Sequence, residues 1–178
     1  MQENSMAVVN RKIDDDIITE LNTATQDTGV AVTATLDLAM YGKVILGNNA
    51  VPSDGNLFGL ITPAFEAYLM QVKEFANADY VNNKPFEASG LTAFRWAGIN
   101  WIVHPNLPGK GTSAEKCFLY HKSAIGHAVN SDGMDVEIDY NKEQAYSWAR
   151  TSIYMGSKIL QNSGIVVLNH DGSNYAAQ

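Results

Sequence analysis

The sequence predicts an α+β fold, with a helical amino-terminal stretch followed by a succession of short strands. Three observations carry this. Met6, Val9, Ile13, Ile17 and Leu21 recur at three- and four-residue steps among Arg11, Lys12, Asp14, Asp15, Asp16 and Glu20, the spacing of one apolar helix face. Residues 94–128 are dense in aromatic and β-branched side chains broken by proline and glycine, and read as strand, tight loop, strand, turn, strand. Residues 135–140 alternate acidic with apolar side chains, the period of a strand with one buried face.

Composition narrows the class. A chain of 178 residues, 46% hydrophobic and 17% charged, supports the core of one domain or of two small interleaved ones. Its net charge of -7, with twelve scattered basic residues, argues against gripping nucleic acid by phosphate neutralisation, which needs clustered Lys and Arg. The single cysteine makes no internal disulfide, and no basic stretch followed by an apolar run is seen near Met1, so reducing, intracellular synthesis is expected. The apolar runs are shorter than the ~20 residues of a membrane-spanning helix, so no membrane role is expected.

In chain order, Asn4 or Ser5 is placed to cap the first helix. Residues 22–35 are small and hydroxylic, a connection between parts. Thr35 caps a second helix whose buried face holds Leu36, Met40 and Val44 with Tyr41 and Ile45, and Gly47 supplies a left-handed stop just after Leu46. Pro52 and the Asp54-Gly55 pair mark a turn before a short buried strand at 57–61. Thr62 and Pro63 then open a third helix as cap and first-turn proline, with Phe65, Leu69 and Val72 facing inward. Residues 75–81 and a polar stretch up to Gly90 follow. Residues 94–103 read as one strand, ended by the prolines and glycine of 104–109. Pairing resumes at 116–120, and after the corner His121-Lys122-Ser123 a run at 124–129 is placed to pair back onto it.

Beyond a turn at Ser131-Asp132-Gly133, Val136, Ile138 and Tyr140 form the expected buried face. Residues 144–160 suit helix or strand, and Trp148, Thr151, Ile153 and Tyr154 favour one long strand. Residues 162–164 make a turn, 165–168 a last buried strand, and the tail after His170 is expected to be loose. Trp96, Trp101, Phe118, Tyr120, Phe58 and Leu60 are the expected core.

Four blocks, in order, carry a family resemblance: Glu-Phe-Ala-Asn-Ala-Asp-Tyr-Val at 74–81, Arg-Trp-Ala-Gly-Ile-Asn-Trp at 95–101, His-Pro-Asn-Leu-Pro at 104–108 and Cys-Phe-Leu-Tyr-His-Lys-Ser-Ala-Ile-Gly-His-Ala at 117–128. They resemble the major capsid proteins of tailed bacteriophages, whose shell fold is shared with herpesvirus capsids, and residues 11–18 resemble part of that group's long spine helix. The resemblance implies the tailed-phage coat-protein fold, a spine helix plus mixed sheets in two interleaved parts. Residues 1–30 and 132–160 would form the peripheral-type part and 31–131 the axial-type part, with 161–172 returning to it.

It further implies a structural subunit of an icosahedral shell around double-stranded DNA, without catalysis, cofactor or metal. Its partners would be copies of itself in pentameric and hexameric capsomers, with scaffold, portal or decoration proteins, and DNA enclosed without sequence-specific binding. It would reside in the virion capsid after assembly in the bacterial host cytoplasm. Arg11, Lys12, Asp14, Asp15, Asp16 and Glu20 are the candidate subunit contacts. Because the family carries an arm and an extended loop ahead of the spine helix, this chain is expected to be the carboxy-terminal portion of such a protein. It should be a monomer or loose oligomer in dilute solution, joining shells when those segments are restored.

The alternative function is a small metal- or cysteine-dependent hydrolase. Asp14, Asp15 and Asp16 suggest a cluster for a divalent cation, but adjacent helical residues point in different directions; a charged edge fits them better. Cys117 and His121 suggest a nucleophile and its base, yet in an extended strand they stand ~13 Å apart. His104 precedes a proline, and His127 lies six residues from His121, not a common metal spacing. No phosphate-binding loop, paired-cysteine motif or Gly-x-Ser-x-Gly elbow is present. The core assignment is tested by Trp101→Ala and Phe118→Ala, each expected to cost ~3–5 kcal/mol in urea melts; parental stability for both would place these strands on the surface.

Overall fold

The computed structural model describes residues 2–73, 93–130 and 135–175. Gln2–Leu21 form helix α1. Its expected stripe is buried at Val9 and Leu21 and half-buried at Ile13 and Ile17, while Met6 is exposed and Ile18, outside the stripe, is buried. Helix α2, Leu36–Asn48, starts where expected, with the Thr35 hydroxyl accepting from the Leu38 amide at 3.3 Å. Its inward face differs from expectation. Leu38, Ala39, Gly42 and Leu46 are buried, whereas Tyr41 and Val44 are about half exposed, because the bare Gly42 is turned towards Leu119 and Leu168. A Cβ there would lie 2.6 Å from Leu168 Cδ2, so this close approach sets the helix rotation. The helix also runs past Gly47 to Asn48, and the left-handed residue is Ala50 (φ 57°).

Strand β1, Leu57–Ile61, leads into α3, Pro63–Leu69, capped by Thr62 as its sequence indicates. The single strand expected at 94–103 is instead a hairpin of β2, Ala93–Trp96, and β3, Ile99–Val103. Positive φ at both Ala97 (54°) and Gly98 (79°) matches a two-residue type I′ turn, whose twist suits paired strands. Strand β4, Glu115–His121, is followed by a 3-10 turn at Lys122–Ala124 and by β5, Ile125–Val129. Next come β6, Asp135–Asn141, β7, Tyr146–Ser152, β8, Met155–Ile159, and β9, Ile165–His170. The long strand expected at 144–160 is therefore two strands, broken at Ile153 and Tyr154.

Among the described residues, five strands form one sheet in the order β2-β3-β1-β4-β9, with β5–β8 and β6–β7 as separate pairs. Strand β1 runs parallel to β3 and antiparallel to β4, and β9 is antiparallel to β4. Strand β5 does not pair back onto β4; the 3-10 turn redirects it to β8. Residues 22–35 run beside the outer edge of β9, where the Thr28 amide donates to Val167 O (3.0 Å) and the Val167 amide to Gln26 O (2.8 Å). Hydrogen bonds that β9 would otherwise leave open are thus satisfied by the connector.

Register places Gly59, Trp101 and Leu119 on one face, against α2 and α3, and Leu60, Ile102, Phe118 and Val167 on the other. Trp96, Trp101, Phe118 and Leu60 are buried as expected. Phe58 and Tyr120 are half-buried and stack with ring centroids 6.0 Å apart. The expected buried face of β6 is not buried: Val136, Ile138 and Tyr140 are 49%, 64% and 50% exposed, because among the described residues β6 pairs with β7 alone. The tail is not wholly loose either, since Tyr175 packs edge-on against Tyr68 (4.9 Å) and its hydroxyl accepts from Gln71 Nε2 (2.6 Å). The expectations for 75–81 and for the turn at 131–133 lie outside the described residues.

At Gly59 two effects oppose each other. Alanine would reduce chain entropy in the unfolded state, worth about 0.5–1 kcal/mol, but its Cβ would stand 2.5 Å from Trp101 Cε3 and 2.8 Å from Cζ3, and a rigid buried ring cannot yield. Overpacking of this kind costs about 1–3 kcal/mol. Gly59→Ala should therefore lower the urea midpoint; an unchanged or raised midpoint would show that Trp101 can move aside.

Candidate functional site: a charged helix and an uncovered hairpin

The acidic run of α1 is divided between two uses. Asp16 Oδ2 accepts from Ser157 Oγ on β8 at 2.7 Å. Ser157 Oγ, having given its hydrogen to Asp16, accepts from His127 Nδ1 at 2.9 Å, so the chain α1–β8–β5 is tied side chain to side chain. One turn on, Glu20 Oε1 accepts from the Ile159 amide (3.3 Å) and from Lys158 Nζ (2.9 Å). Those bonds, the Lys158 one foremost, hold the Glu20 carboxyl below its usual range. Asp14 Oδ2 lies 3.7 Å from His104 Nε2. Arg11, Lys12 and Asp15 are exposed. Of the six candidate contact residues, then, Asp16 and Glu20 hydrogen-bond within the chain, Asp14 is exposed beside His104, and Arg11, Lys12 and Asp15 present charge outward. Ser157, Lys158 and His127 are the partners that sequence reasoning missed; small polar residues in a strand give no signal of what will face them.

The β6–β7 hairpin is the second feature. Direct pairing of Val136 with Thr151, Ile138 with Ala149 and Tyr140 with Ser147 puts one largely apolar face together, and the pairing of Glu137 with Arg150 and Asp139 with Trp148 makes the other face charged and aromatic. A two-stranded ribbon is marginal by itself in water. Met6 and Val8 on α1 are also exposed. Between α1 and the sheet, Ile17, Phe58, Ile102, Tyr120 and Ile125 line an open apolar groove of about 270 Å³.

The residues weighed for catalysis are not brought together. Cys117 is fully buried, and burial pushes its thiol up to about 12, far from the thiolate a nucleophile needs. His121 has its own partners: Nδ1 accepts from the Ser123 amide (3.3 Å), leaving Nε2 to donate to Asp54 Oδ1 (3.1 Å). The Asp54 carboxyl is drawn down to about 2, chiefly by hydrogen bonds from the Asn56 side chain and amide and then by His121. That arrangement braces the turn before β1 against the end of β4. Among the described residues no group of three or more His, Cys, Asp or Glu side chains is placed to hold a metal ion, and Asp14, Asp15 and Asp16 diverge as helix geometry requires.

Comparison with known proteins gives three findings. A family model described as phage capsid protein matches residues 1–172. The fold resembles a protein of Mycobacterium phage Che8 (TM-score 0.72, 17% identity, covering 93% of this chain and 61% of that one). It also resembles the capsid of cyanophage P-SCSP1u (TM-score 0.63, 13% identity, 94% and 63%) and the holo-SrpI encapsulin complex from Synechococcus elongatus PCC 7942 (TM-score 0.60, 11% identity, 99% and 67%). At these identities the likeness is one of fold. The chain spans about three fifths of the length of the first two structures. A search of curated proteins finds no match.

The tie between α1 and β8 yields a pH prediction. A carboxyl whose folded pKa is depressed contributes stability above its unfolded value, about 4.3 for Glu, and loses it as pH falls through the folded value. Glu20→Ala should accelerate amide hydrogen exchange along α1 at pH 7, and the difference from the parent should shrink as pH falls below about 4. Exchange along α1 that is identical in the two proteins at pH 7 would show that apolar packing alone holds the helix.

Proposed function

The chain belongs to the phage capsid protein family, and from that membership we propose that it is a non-enzymatic structural subunit of a closed protein shell that encloses double-stranded DNA in a virion. The observation that carries the reading is the β6–β7 hairpin, left uncovered by the described residues, whose apolar row Val136, Ile138 and Tyr140 is exposed while β1, β4 and β9 are largely buried. Such a surface is stabilised by association, and a subunit repeated around closed symmetry supplies the partner with every copy. Net charge of -7 suits a wall that contains DNA without adhering to it.

In this reading the partners are copies of the same protein in pentameric and hexameric capsomers of an icosahedral shell. Scaffold, portal or decoration proteins act alongside, and assembly takes place in the host cytoplasm. Arg11, Lys12, Asp14 and Asp15 are the charged contacts; each exposed pair is worth only ~0–1 kcal/mol, so they set register while apolar contacts supply affinity. The two interleaved parts are residues 1–30 with 132–160 and the sheet-centred 31–131 with 161–172, with the β5–β8 pairing as a contact between them. The hydrolase alternative has no assembled site, since Cys117 and His121 each satisfy other partners and the thiol stays protonated.

Sedimentation velocity and electron microscopy test this directly. The 178-residue chain should sediment as a monomer or loose small oligomer, and a longer chain carrying the family's arm and extended loop should form closed shells. In that longer chain, Ile138→Asp should abolish shells while leaving the circular dichroism spectrum unchanged. Shells from Ile138→Asp at the parental yield would remove the hairpin from the assembly surface; a longer chain that never closes shells would overturn the function itself.

A further inference from the structure

Two polar side chains are buried on the α3 side where β4 begins and β9 ends, His170 at 0% and Glu115 at 1% exposure. The imidazole Nδ1 stands 3.2 Å from the Val32 carbonyl oxygen, and since a carbonyl only accepts, Nδ1 carries a hydrogen. The other nitrogen, Nε2, has no hydrogen-bond partner and faces Glu115 Oε2 at 3.5 Å. That carboxyl group already accepts from Thr62 Oγ1 (2.8 Å) and from the Gly111 amide (2.5 Å). With a neutral ring, a lone pair therefore points at a carboxylate oxygen. One added proton at Nε2 would turn this contact into a charge-assisted hydrogen bond.

We propose that His170 and Glu115 form a buried proton-binding site that couples pH to the anchoring of the connector 22–35 and the end of β9. The groups facing the ring are Glu115 from β4, Tyr68 and Phe65 edge-on from α3 (5.4 and 5.1 Å), the Val32 carbonyl from the connector, and Asp171 directly after β9; Cys117 lies behind Glu115, against Thr62. Cys117, with its thiol pushed up to about 12, stays neutral throughout the acid range. Burial lowers the imidazole pKa, against the opposing pull of the Val32 carbonyl and of Glu115 and Asp171.

The sign follows from linkage. In the unfolded chain the ring takes up its proton near 6.5, about the ordinary histidine value, whereas the folded site takes it up only at lower pH. Between the two the unfolded chain binds more protons, so stability is lost as pH falls through that window. The segments the pair joins are Val32, the Thr62 cap of α3 and the Gly109–Gly111 loop, with Gly172 packed so closely that a Cβ would lie 2.4 Å from the Glu115 carboxyl carbon.

The test is NMR of ring-labelled protein with unfolding measured across pH. At pH 7 the His170 ring should show protonated Nδ1 and bare Nε2, and its midpoint should lie below the ordinary histidine value and fall further in Glu115→Gln. His170→Asn retains a donor for the Val32 carbonyl but cannot titrate. Its unfolding constant should vary less steeply with pH below 6.5 than the parent's, by up to about one decade per pH unit, and His104, His121 and His127 cancel in this comparison. A His170 midpoint at or above the ordinary value, a protonated Nε2 at pH 7, or equal slopes for the two proteins would each overturn the proposal. If His170→Asn fails to fold, the ring titration of the parent decides alone.

Discussion

The main sheet holds together because Gly59 has no side chain. Trp101 lies across the space a Cβ would occupy, its Nε1 donates to the Trp96 carbonyl at 3.2 Å, and Phe65 of α3 stacks on it with centroids 6.3 Å apart. One indole thus joins β1, the β2–β3 hairpin and α3. A parallel pair such as β1–β3 needs a crossover between its strands, and here α3 lies within that crossover and packs on the residue that the pairing brings to its face. Were the ring displaced, the hairpin would lose its contact with the sheet and α3 its floor. Local conformation, strand pairing and helix packing all meet at that glycine.

Energetics divide the molecule unevenly. The five-stranded sheet is covered on one face by α2 and α3 and paired at its β9 edge with the connector, so most of its apolar side chains on that face are buried within the chain. The β6–β7 hairpin has its ladder complete over seven residue pairs, yet its apolar face gains nothing from burial. At roughly 25 cal/mol per Å², covering three large half-exposed side chains with a neighbour is a substantial reserve for association. That asymmetry, a self-sufficient sheet beside an unfinished ribbon, is what a subunit of a larger assembly requires.

How far the sequence revealed this depends on whether the signal was local. Thr35 and the Thr62-Pro63 pair gave both helix starts because capping is settled within four residues. The turn at Ala97-Gly98 escaped, since alanine at positive φ carries no compositional mark and the aromatic run around it looks unbroken. The alternation in β6 correctly predicted a strand but not the burial of Val136, Ile138 and Tyr140, because periodicity says which side chains share a face and not whether anything covers it. Tyr41 and Val44 were misassigned for a related reason: the rotation of α2 is set by Gly42 approaching Leu168, a long-range contact that hydrophobicity does not encode. Of the candidate site, the charged residues of α1 were visible in the sequence; that Asp16 and Glu20 would be engaged by β8 was not, because their partners lie about 140 residues away.

Helix α1 accordingly changes role along its length. Its last two turns are fixed by Ile18 and Leu21 in the core and by Asp16 and Glu20 on β8. Its first turns, from Met6 to Lys12, have exposed apolar and basic side chains apart from Val9. A helix transmits position because its hydrogen-bonded backbone is stiff over 20 residues, about 30 Å. Anchoring its last turns therefore fixes where the helix presents Arg11, Lys12 and Asp15. Exposed ion pairs are weak singly, but charges held at a fixed distance and angle from the core repeat identically in every copy, and it is repetition that lets weak contacts choose a geometry.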